Sequence, residues 1–128
     1  MISKTFAAIA AVAIICTSSL ASAQMAPAKT ADTSKGKALV DSKGMTLYTF
    51  DKDAPGKLAC VGACTGNWPP LLAATDAKAE GDYSLVKRDG EMQWAYKGKP
   101  LYRWKNDKKP GDITGDGFLN GAWHIAKP

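Results

Sequence analysis

The amino-acid sequence predicts an all-β domain, mainly antiparallel, in which two similar hairpin-plus-loop units form one small barrel-like or sandwich-like structure. Three observations favour this fold class. Short alternating apolar runs are separated by turn residues, Asp89-Gly90 is a strong hairpin signal, and the pattern of residues 43–53 returns at residues 97–107. No part of the domain keeps a helical period for long, and the length of 128 residues suits one domain.

The amino-terminal residues 1–23 have the pattern of a secretory signal peptide. Lys4 gives a positive start, residues 6–16 form an almost unbroken apolar run, and Ala21-Ser22-Ala23 supplies the small residues that signal peptidase reads. The apolar run is too short to anchor stably in a bilayer core about 30 Å thick. We therefore expect an exported protein, periplasmic or extracellular, whose mature chain has no transmembrane segment.

Cys16 raises the question of a lipid anchor, because bacterial lipoproteins are cleaved just before a lipid-bearing cysteine. The preceding residue is Ile15, where that cleavage favours a small side chain, so we expect no lipid anchor. Residues 24–36 are small, polar and without period, which predicts a flexible linker. Residues 37–128 are then a single domain, with repeats at about 37–72 and 84–126.

Turn residues divide this domain into short segments. Strands are expected at residues 45–50, 84–87, 91–96, 101–104 and 123–126. The turn at Asp89-Gly90 joins two of them, because both residues tolerate a positive φ. Residues 71–79 follow a proline pair and are expected to form a short helix.

The internal repeat is the most informative feature of the sequence. Residues 43–53 align with residues 97–107, and after one inserted residue the match continues through Pro-Gly to Trp68 and Trp123. Alternate residues of a strand share a face, so each unit places a tyrosine and a second aromatic residue on one stripe. The acid that follows the strand is expected to accept backbone N–H groups and fix a turn. The repeated residues are Tyr48, Phe50 and Asp53 in the first unit and Tyr102, Trp104 and Asp107 in the second.

This Tyr-x-aromatic-x-x-Asp pattern resembles the bacterial secreted-repeat family described as predicted lipoproteins with a Y-x-(F/W/Y)-x-x-D motif. The resemblance runs from about Leu39 to Ala126 and includes Asn-Trp-Pro-Pro-Leu at residues 67–71 and the Gly-x-Trp-His ending at residues 121–124. It implies secretion, two repeats and no settled activity. The lipoprotein label requires a lipid-bearing cysteine, which Cys16 does not convincingly provide.

Removal of the signal peptide leaves two cysteines, Cys60 and Cys64, and an even pair in an oxidising compartment favours a disulfide. Thiol redox work is less favoured, because it usually requires two intervening residues and a thioredoxin-like scaffold. The alternative function is copper or redox handling. The C-x-x-x-C spacing with the distant His124 is similar to copper-delivery proteins related to thioredoxin, although the other residues of that motif are missing.

Residues 111–120 resemble a calcium-binding loop, with Asp112 and Asp116 among its oxygen ligands and a glycine at the sixth position. The twelfth position of such a loop requires a bidentate acid, and Trp123 occupies it. We expect poor calcium affinity and favour a turn rich in glycine and aspartate.

The charge pattern and the motifs that are missing exclude further classes of function. A net charge of +5 comes from scattered lysines, whereas a nucleic-acid binder concentrates its charge in a stripe, so nucleic acid is not an expected partner. One histidine and no nucleophile–base motif leave enzyme readings unsupported. Few Ile and Val residues fill the domain, so the aromatic side chains are predicted to form the core rather than an exposed stacking surface. We expect a non-enzymatic binding or structural module that contacts an unknown envelope ligand or protein and needs no cofactor.

Overall fold

A computed structural model describes residues 26–55 and 57–128 of this protein, and the predicted signal peptide lies outside them. These residues contain eight short strands and two single-turn helices. The strands are β1 (Lys29–Thr33), β2 (Gly36–Val40), β3 (Tyr48–Phe50), β4 (Leu72–Ala73), β5 (Tyr83–Arg88), β6 (Glu91–Tyr96), β7 (Lys99–Pro100) and β8 (Trp123–Ile125), and the helical turns are α1 (Cys64–Asn67) and α2 (Phe118–Gly121).

Every strand pairing is antiparallel, which confirms the predicted all-β class. The strands form three sheets: β1 with β2, β3 with β8, and β4, β5 and β7 around β6. A closed barrel is not formed, and the barrel prediction is corrected here. Closure requires one continuous sheet whose last strand pairs with its first, whereas the described strands divide among three sheets.

The predicted hairpin at Asp89-Gly90 is present. These residues have φ values of 43° and 80°, and Lys97-Gly98 repeats the conformation with 50° and 83°. Two consecutive residues with positive φ make a turn whose twist matches that of the flanking strands. The two turns fold β5, β6 and β7 into one meander.

Strand β1 lies within residues 24–36, which the sequence predicted as a flexible linker, so the linker prediction is corrected for this stretch. β1 pairs with β2 along its whole length, from Lys29 opposite Val40 to Thr33 opposite Gly36. Its side chains are exposed or half-buried, so it has no apolar alternation to reveal it. The ladder of backbone hydrogen bonds holds it instead.

The predicted helix at residues 71–79 is also wrong. Strand β4 and a turn occupy this segment. The Leu71 N–H donates to the Leu101 carbonyl at 2.9 Å, and the Trp94 N–H donates to the Leu71 carbonyl at 2.9 Å. Neighbouring strands therefore use the backbone groups that a helix would have satisfied internally.

The core divides into two clusters, one on each face of the two motif segments, residues 47–50 and 101–104. The aromatic cluster is Ala38, Tyr48, Cys60, Trp68, Tyr102, Trp104, Trp123 and Ile125, and the aliphatic cluster is Ala28, Leu39, Leu47, Trp94, Leu101 and Ala126. Adjacent residues of an extended chain point to opposite faces. Leu47 and Leu101 therefore enter one cluster while the next residues, Tyr48 and Tyr102, enter the other.

Candidate functional site

The motif tyrosines meet at the centre of the molecule. Tyr48 and Tyr102 are both fully buried. The Tyr48 N–H donates to the Tyr102 carbonyl at 2.8 Å, and the Tyr102 N–H donates to the Tyr48 carbonyl at 2.9 Å. This reciprocal pair joins the motif segments of the two repeats. Residues 101–104 were expected as a strand, but they form only isolated bridges at Tyr102, with Tyr48 and Pro70.

Each motif tyrosine is hydrogen-bonded to the motif acid of the other repeat. The Tyr48 hydroxyl donates to Asp107 Oδ2 at 2.5 Å, and the Tyr102 hydroxyl donates to Asp53 Oδ2 at 2.7 Å. The sequence predicted the acids as turn-fixing groups but did not predict this exchange between repeats. The motif side chains therefore hold the two repeats together and do not line an open site.

The second oxygen of each acid fixes a loop, as the sequence predicted. Asp53 Oδ1 accepts the Ala59 N–H at 2.7 Å. Asp107 Oδ1 accepts the N–H of Thr114 at 3.0 Å and its hydroxyl at 2.6 Å. Both acids thus tie the loop of their own repeat to the tyrosine of the other.

Burial raises the pKa of both Tyr48 and Tyr102 well above the ordinary phenol value, and the hydrogen bond to Asp107 or Asp53 raises it further. The phenols therefore stay protonated at neutral pH and remain donors. This suits a structural role.

A buried arginine extends the network in the first repeat's loop. The Arg88 guanidinium donates to Gln93 Oε1 at 2.8 Å, to the Cys60 carbonyl at 2.9 Å and to the Tyr102 hydroxyl at 3.2 Å. Arg88 is 7% exposed, so these bonds offset much of the cost of burying its polar groups. The contacts join the β5–β6 hairpin to the cysteine loop.

Four aromatic rings form a column that alternates between the repeats. Phe50 stacks on Trp123 with 4.1 Å between ring centroids, Trp123 on Trp68 with 3.7 Å, and Trp68 on Trp104 with 4.1 Å. The three tryptophans are buried and Phe50 is half-buried. These rings belong to the core, as the sequence favoured, and do not form an exposed stacking surface.

Cys60 and Cys64 form the predicted disulfide. Cys60 aligns with Gly115 in the second repeat, where a Cβ atom would lie 2.7 Å from the Trp68 ring. Only the first repeat therefore has room for a cysteine at this position. The bridge is a point where the two repeats differ.

The predicted metal ligands are not brought together. In the described part of the chain, no three His, Cys, Asp or Glu side chains form a group that could hold a metal ion. Cys60 and Cys64 are occupied by their bridge, and His124 lies elsewhere, with its Nε2 atom 2.7 Å from Asp51 Oδ2.

The two acids of the calcium-like loop have separate structural partners. Asp112 Oδ2 accepts the backbone N–H groups of Lys108 and Lys109 at 2.8 and 3.1 Å, and these contacts lower its pKa, the Lys108 bond most. Burial opposes ionisation of Asp116, but hydrogen bonds from Lys35 and the Ile125 N–H outweigh it and lower the pKa. Both carboxylates are therefore used within the fold.

A groove beside the β3–β8 pair is the clearest candidate binding site. Thr49 lies opposite His124 in the ladder, which places the His124–Asp51 hydrogen bond at the edge of this groove. The cavity measures about 460 Å³ and is lined by Thr49, Asp51, Tyr96, Lys97, Lys99, His124, Ile125, Ala126 and Lys127. Its volume lies within the range typical of small-molecule sites.

A second groove occupies the corresponding place in the other half of the molecule. It measures about 350 Å³ and is lined by Pro27, Asp41, Ser42, Lys43, Pro70, Leu71, Leu72, Trp94 and Arg103. In the repeat alignment Arg103 corresponds to Thr49, Lys43 to Lys97, and Leu71 to Ala126. The backbone agrees, since the Ala126 N–H donates to Leu47 as the Leu71 N–H donates to Leu101.

The chemistry of the two grooves differs although their positions correspond. In the second groove Arg103 lies 3.8 Å from the buried carboxylate of Asp41, which offsets its charge. In the first groove, which we call the lysine groove, Lys97, Lys99 and Lys127 are exposed and Asp51 is hydrogen-bonded to His124. Sequence reasoning did not find this site, because it depends on the pairing of β3 with β8.

Comparisons with known proteins follow the same division of the chain. No curated protein and no solved structure gives a significant match. Among residues 26–55 and 57–128, no helix is long and apolar enough to cross a membrane. A family model described as a secreted repeat of unknown function matches residues 29–72 and again residues 84–127, which together make up more than half of the chain. The first match begins at β1, within the predicted linker. The chain therefore belongs to this family of secreted repeats.

Proposed function

We propose that this protein is a non-enzymatic binding module of the cell envelope, exported without a lipid anchor, and that the lysine groove is its ligand site. The single observation that carries the proposal is the difference between the two grooves. The contacts that the repeats share, such as the Tyr48–Asp107 and Tyr102–Asp53 bonds, build the fold. Groove residues that differ between the aligned repeats are not needed for the shared fold and are therefore available to bind a ligand.

The lysine groove combines a cavity with polar groups that the fold does not consume. His124 and Asp51 are about half-exposed, with side-chain exposures of 47% and 59%. Their hydrogen bond holds each in place beside the cavity. Fixed polar groups around a concave surface are typical of ligand sites.

The motif itself does not support catalysis, because its tyrosines and acids are packed and hydrogen-bonded to each other. Copper or redox handling at Cys60, Cys64 and His124 stays a prediction, and no contact among the described residues favours it.

The test is a nuclear magnetic resonance titration of the mature protein with fractionated envelope material. We expect amide shifts concentrated at residues 97–99 and 124–127. The matched variants are Lys97→Asn and Lys43→Asn, which remove aligned lysines from the two grooves. Asparagine tolerates the positive φ of Lys97. Smaller shifts at the same ligand concentration in Lys97→Asn but not in Lys43→Asn would support the proposal, and equal shifts in all three proteins would contradict it.

A further inference from the structure

We propose that the ligand of the lysine groove is an acidic saccharide, a chain of sugars that carry carboxylate groups. This inference rests on the proposed function and names the chemical class of its ligand.

Three exposed ammonium groups give the groove a positive character. In the described part of the chain none of Lys97, Lys99 and Lys127 forms an ion pair. Lys97 Nζ lies 5.2 Å from the centroid of the Tyr96 ring, and Lys127 Nζ donates to the Lys35 carbonyl at 3.3 Å. Lysine binds anions as a point charge and does not require a fixed planar partner. An anionic ligand therefore fits this set of cations.

Asp51 distinguishes a sugar from a simple anion. Its carboxylate lines the same cavity as the lysines and repels phosphate or any other compact anion that approaches it. A carboxylate is, however, an acceptor for hydroxyl donors. A sugar presents both groups at once, since its carboxylate can contact a lysine while its hydroxyls donate to Asp51.

The remaining lining suits a sugar ring. Tyr96 is half-buried, and its ring lies 5.0 Å from that of Tyr83, which limits its movement. Lys97 lies over one face of this ring, so the remaining exposed part of the ring provides the apolar contact for the C–H side of a sugar. Thr49 adds a hydroxyl that can donate and accept.

The groove continues beyond its first cavity. A neighbouring cavity of about 390 Å³ shares Thr49, Asp51, Lys97 and Lys99 with it and extends to Phe50, Asp53 and Pro100. The Asp53 carboxylate already accepts hydrogen bonds from the Ala59 N–H and the Tyr102 hydroxyl. Lys97 and Lys99 border both cavities, so a ligand longer than one sugar can contact the same lysines from both sides. An oligosaccharide therefore fits better than a single sugar.

The test is calorimetric and magnetic-resonance titration of the mature protein with three probes: an oligogalacturonate, a neutral galactan oligomer of the same length, and inorganic polyphosphate. We expect the oligogalacturonate to bind about tenfold more tightly than the neutral oligomer, a difference of about 1.4 kcal/mol. It should shift the amides of residues 97–99 and 124–127. Lys97→Asn should weaken it about threefold, as expected for loss of an exposed charge contact, and Lys43→Asn should not.

The variant Asp51→Asn distinguishes recognition of sugar hydroxyls from simple attraction of an anion to the lysines. The variant should weaken oligogalacturonate binding, because an amide oxygen accepts less strongly than a carboxylate, and should strengthen polyphosphate binding, because a repulsive charge is gone. Strengthening of both would overturn the saccharide inference, as would equal affinity for the acidic and neutral oligomers. If envelope material shifts the groove amides and oligogalacturonate does not, the inference fails while the proposed function stands. If no material shifts them, both fail.

Discussion

The Tyr48 hydroxyl donates its hydrogen bond to Asp107, so the motif tyrosine of the first repeat is completed by the motif acid of the second. Tyr102 and Asp53 make the converse bond. The tyrosine and the acid of one motif are neighbours in sequence, but each forms its hydrogen bond with the motif of the other repeat. A double-mutant cycle can distinguish tyrosine–acid bonding between the repeats from bonding within one repeat.

Tyr48→Phe and Asp107→Asn should be strongly coupled. Either change alone leaves a buried polar group without its partner, which costs about 1–3 kcal/mol of unfolding free energy. The double variant should cost less than the sum of the two, whereas Tyr48→Phe with Asp53→Asn should be additive, since those residues share no hydrogen bond. Urea unfolding measures all the variants. Coupling of Tyr48 to the acid of its own repeat would contradict the exchange.

Stability should fall at high pH because of the buried phenols. The pKa of Tyr48 and of Tyr102 is raised in the folded protein, while the unfolded chain ionises near the ordinary value of 10.0. Unfolding then releases protons above this pH. The stabilisation is complete below pH 10 and is lost as pH rises above it, by up to about 1.4 kcal/mol per pH unit for each phenol.

Absorbance of tyrosinate measured during unfolding at high pH checks this prediction. Tyr48→Phe and Tyr102→Phe should each make the pH dependence shallower, whatever their effect on stability at neutral pH. Full tyrosinate absorbance in a protein that is still folded just above pH 10 would contradict it.

Gly115→Ala should destabilise the aromatic column. The new Cβ would lie 2.7 Å from Trp68 and 3.0 Å from Trp104, and both rings belong to the buried cluster. Overpacking of this kind costs about 1–3 kcal/mol. Gly66→Ala is the control, because nothing lies within 4 Å of its Cβ position. Thermal unfolding should separate the two variants, and equal melting temperatures would show that the column can shift.

Loss of the Cys60–Cys64 bridge should cost about 2 kcal/mol, since the ring it closes is short. The Cys60 carbonyl accepts from Arg88, so the amides of the β5–β6 hairpin should shift on reduction. Unfolding with and without reductant measures the cost, and Cys60→Ala with Cys64→Ala is the matched variant. A reduced protein with unchanged stability and an unchanged hairpin would contradict this prediction.

Local patterns predicted local structure well. Asp89-Gly90 marked its hairpin, and the two cysteines marked their disulfide. The short apolar segments and the repeated aromatic residues gave the fold class and the core. β1 was missed because its polar side chains remain largely in solvent and its ladder with β2 holds it.

The remainder depends on which segments meet. The sequence does not show that Tyr48 and Tyr102 each bond to the acid of the other repeat. Bonding within a repeat and bonding between repeats would have the same local sequence pattern. The sequence indicated His124 only as a candidate copper ligand. Its contact with Asp51 exists only because β8 lies against β3.

The reciprocal bonds of Tyr48 and Tyr102 also bear on how such a domain arose. A free single repeat would leave its tyrosine, its acid and both faces of its closing tryptophan, Trp68 or Trp123, without partners, so it would need a second molecule to complete it. Joining two copies in one polypeptide replaces that encounter with a neighbour at a fixed high local concentration. Assembly then no longer depends on how much protein the cell exports, and the two copies become free to diverge where they do not touch.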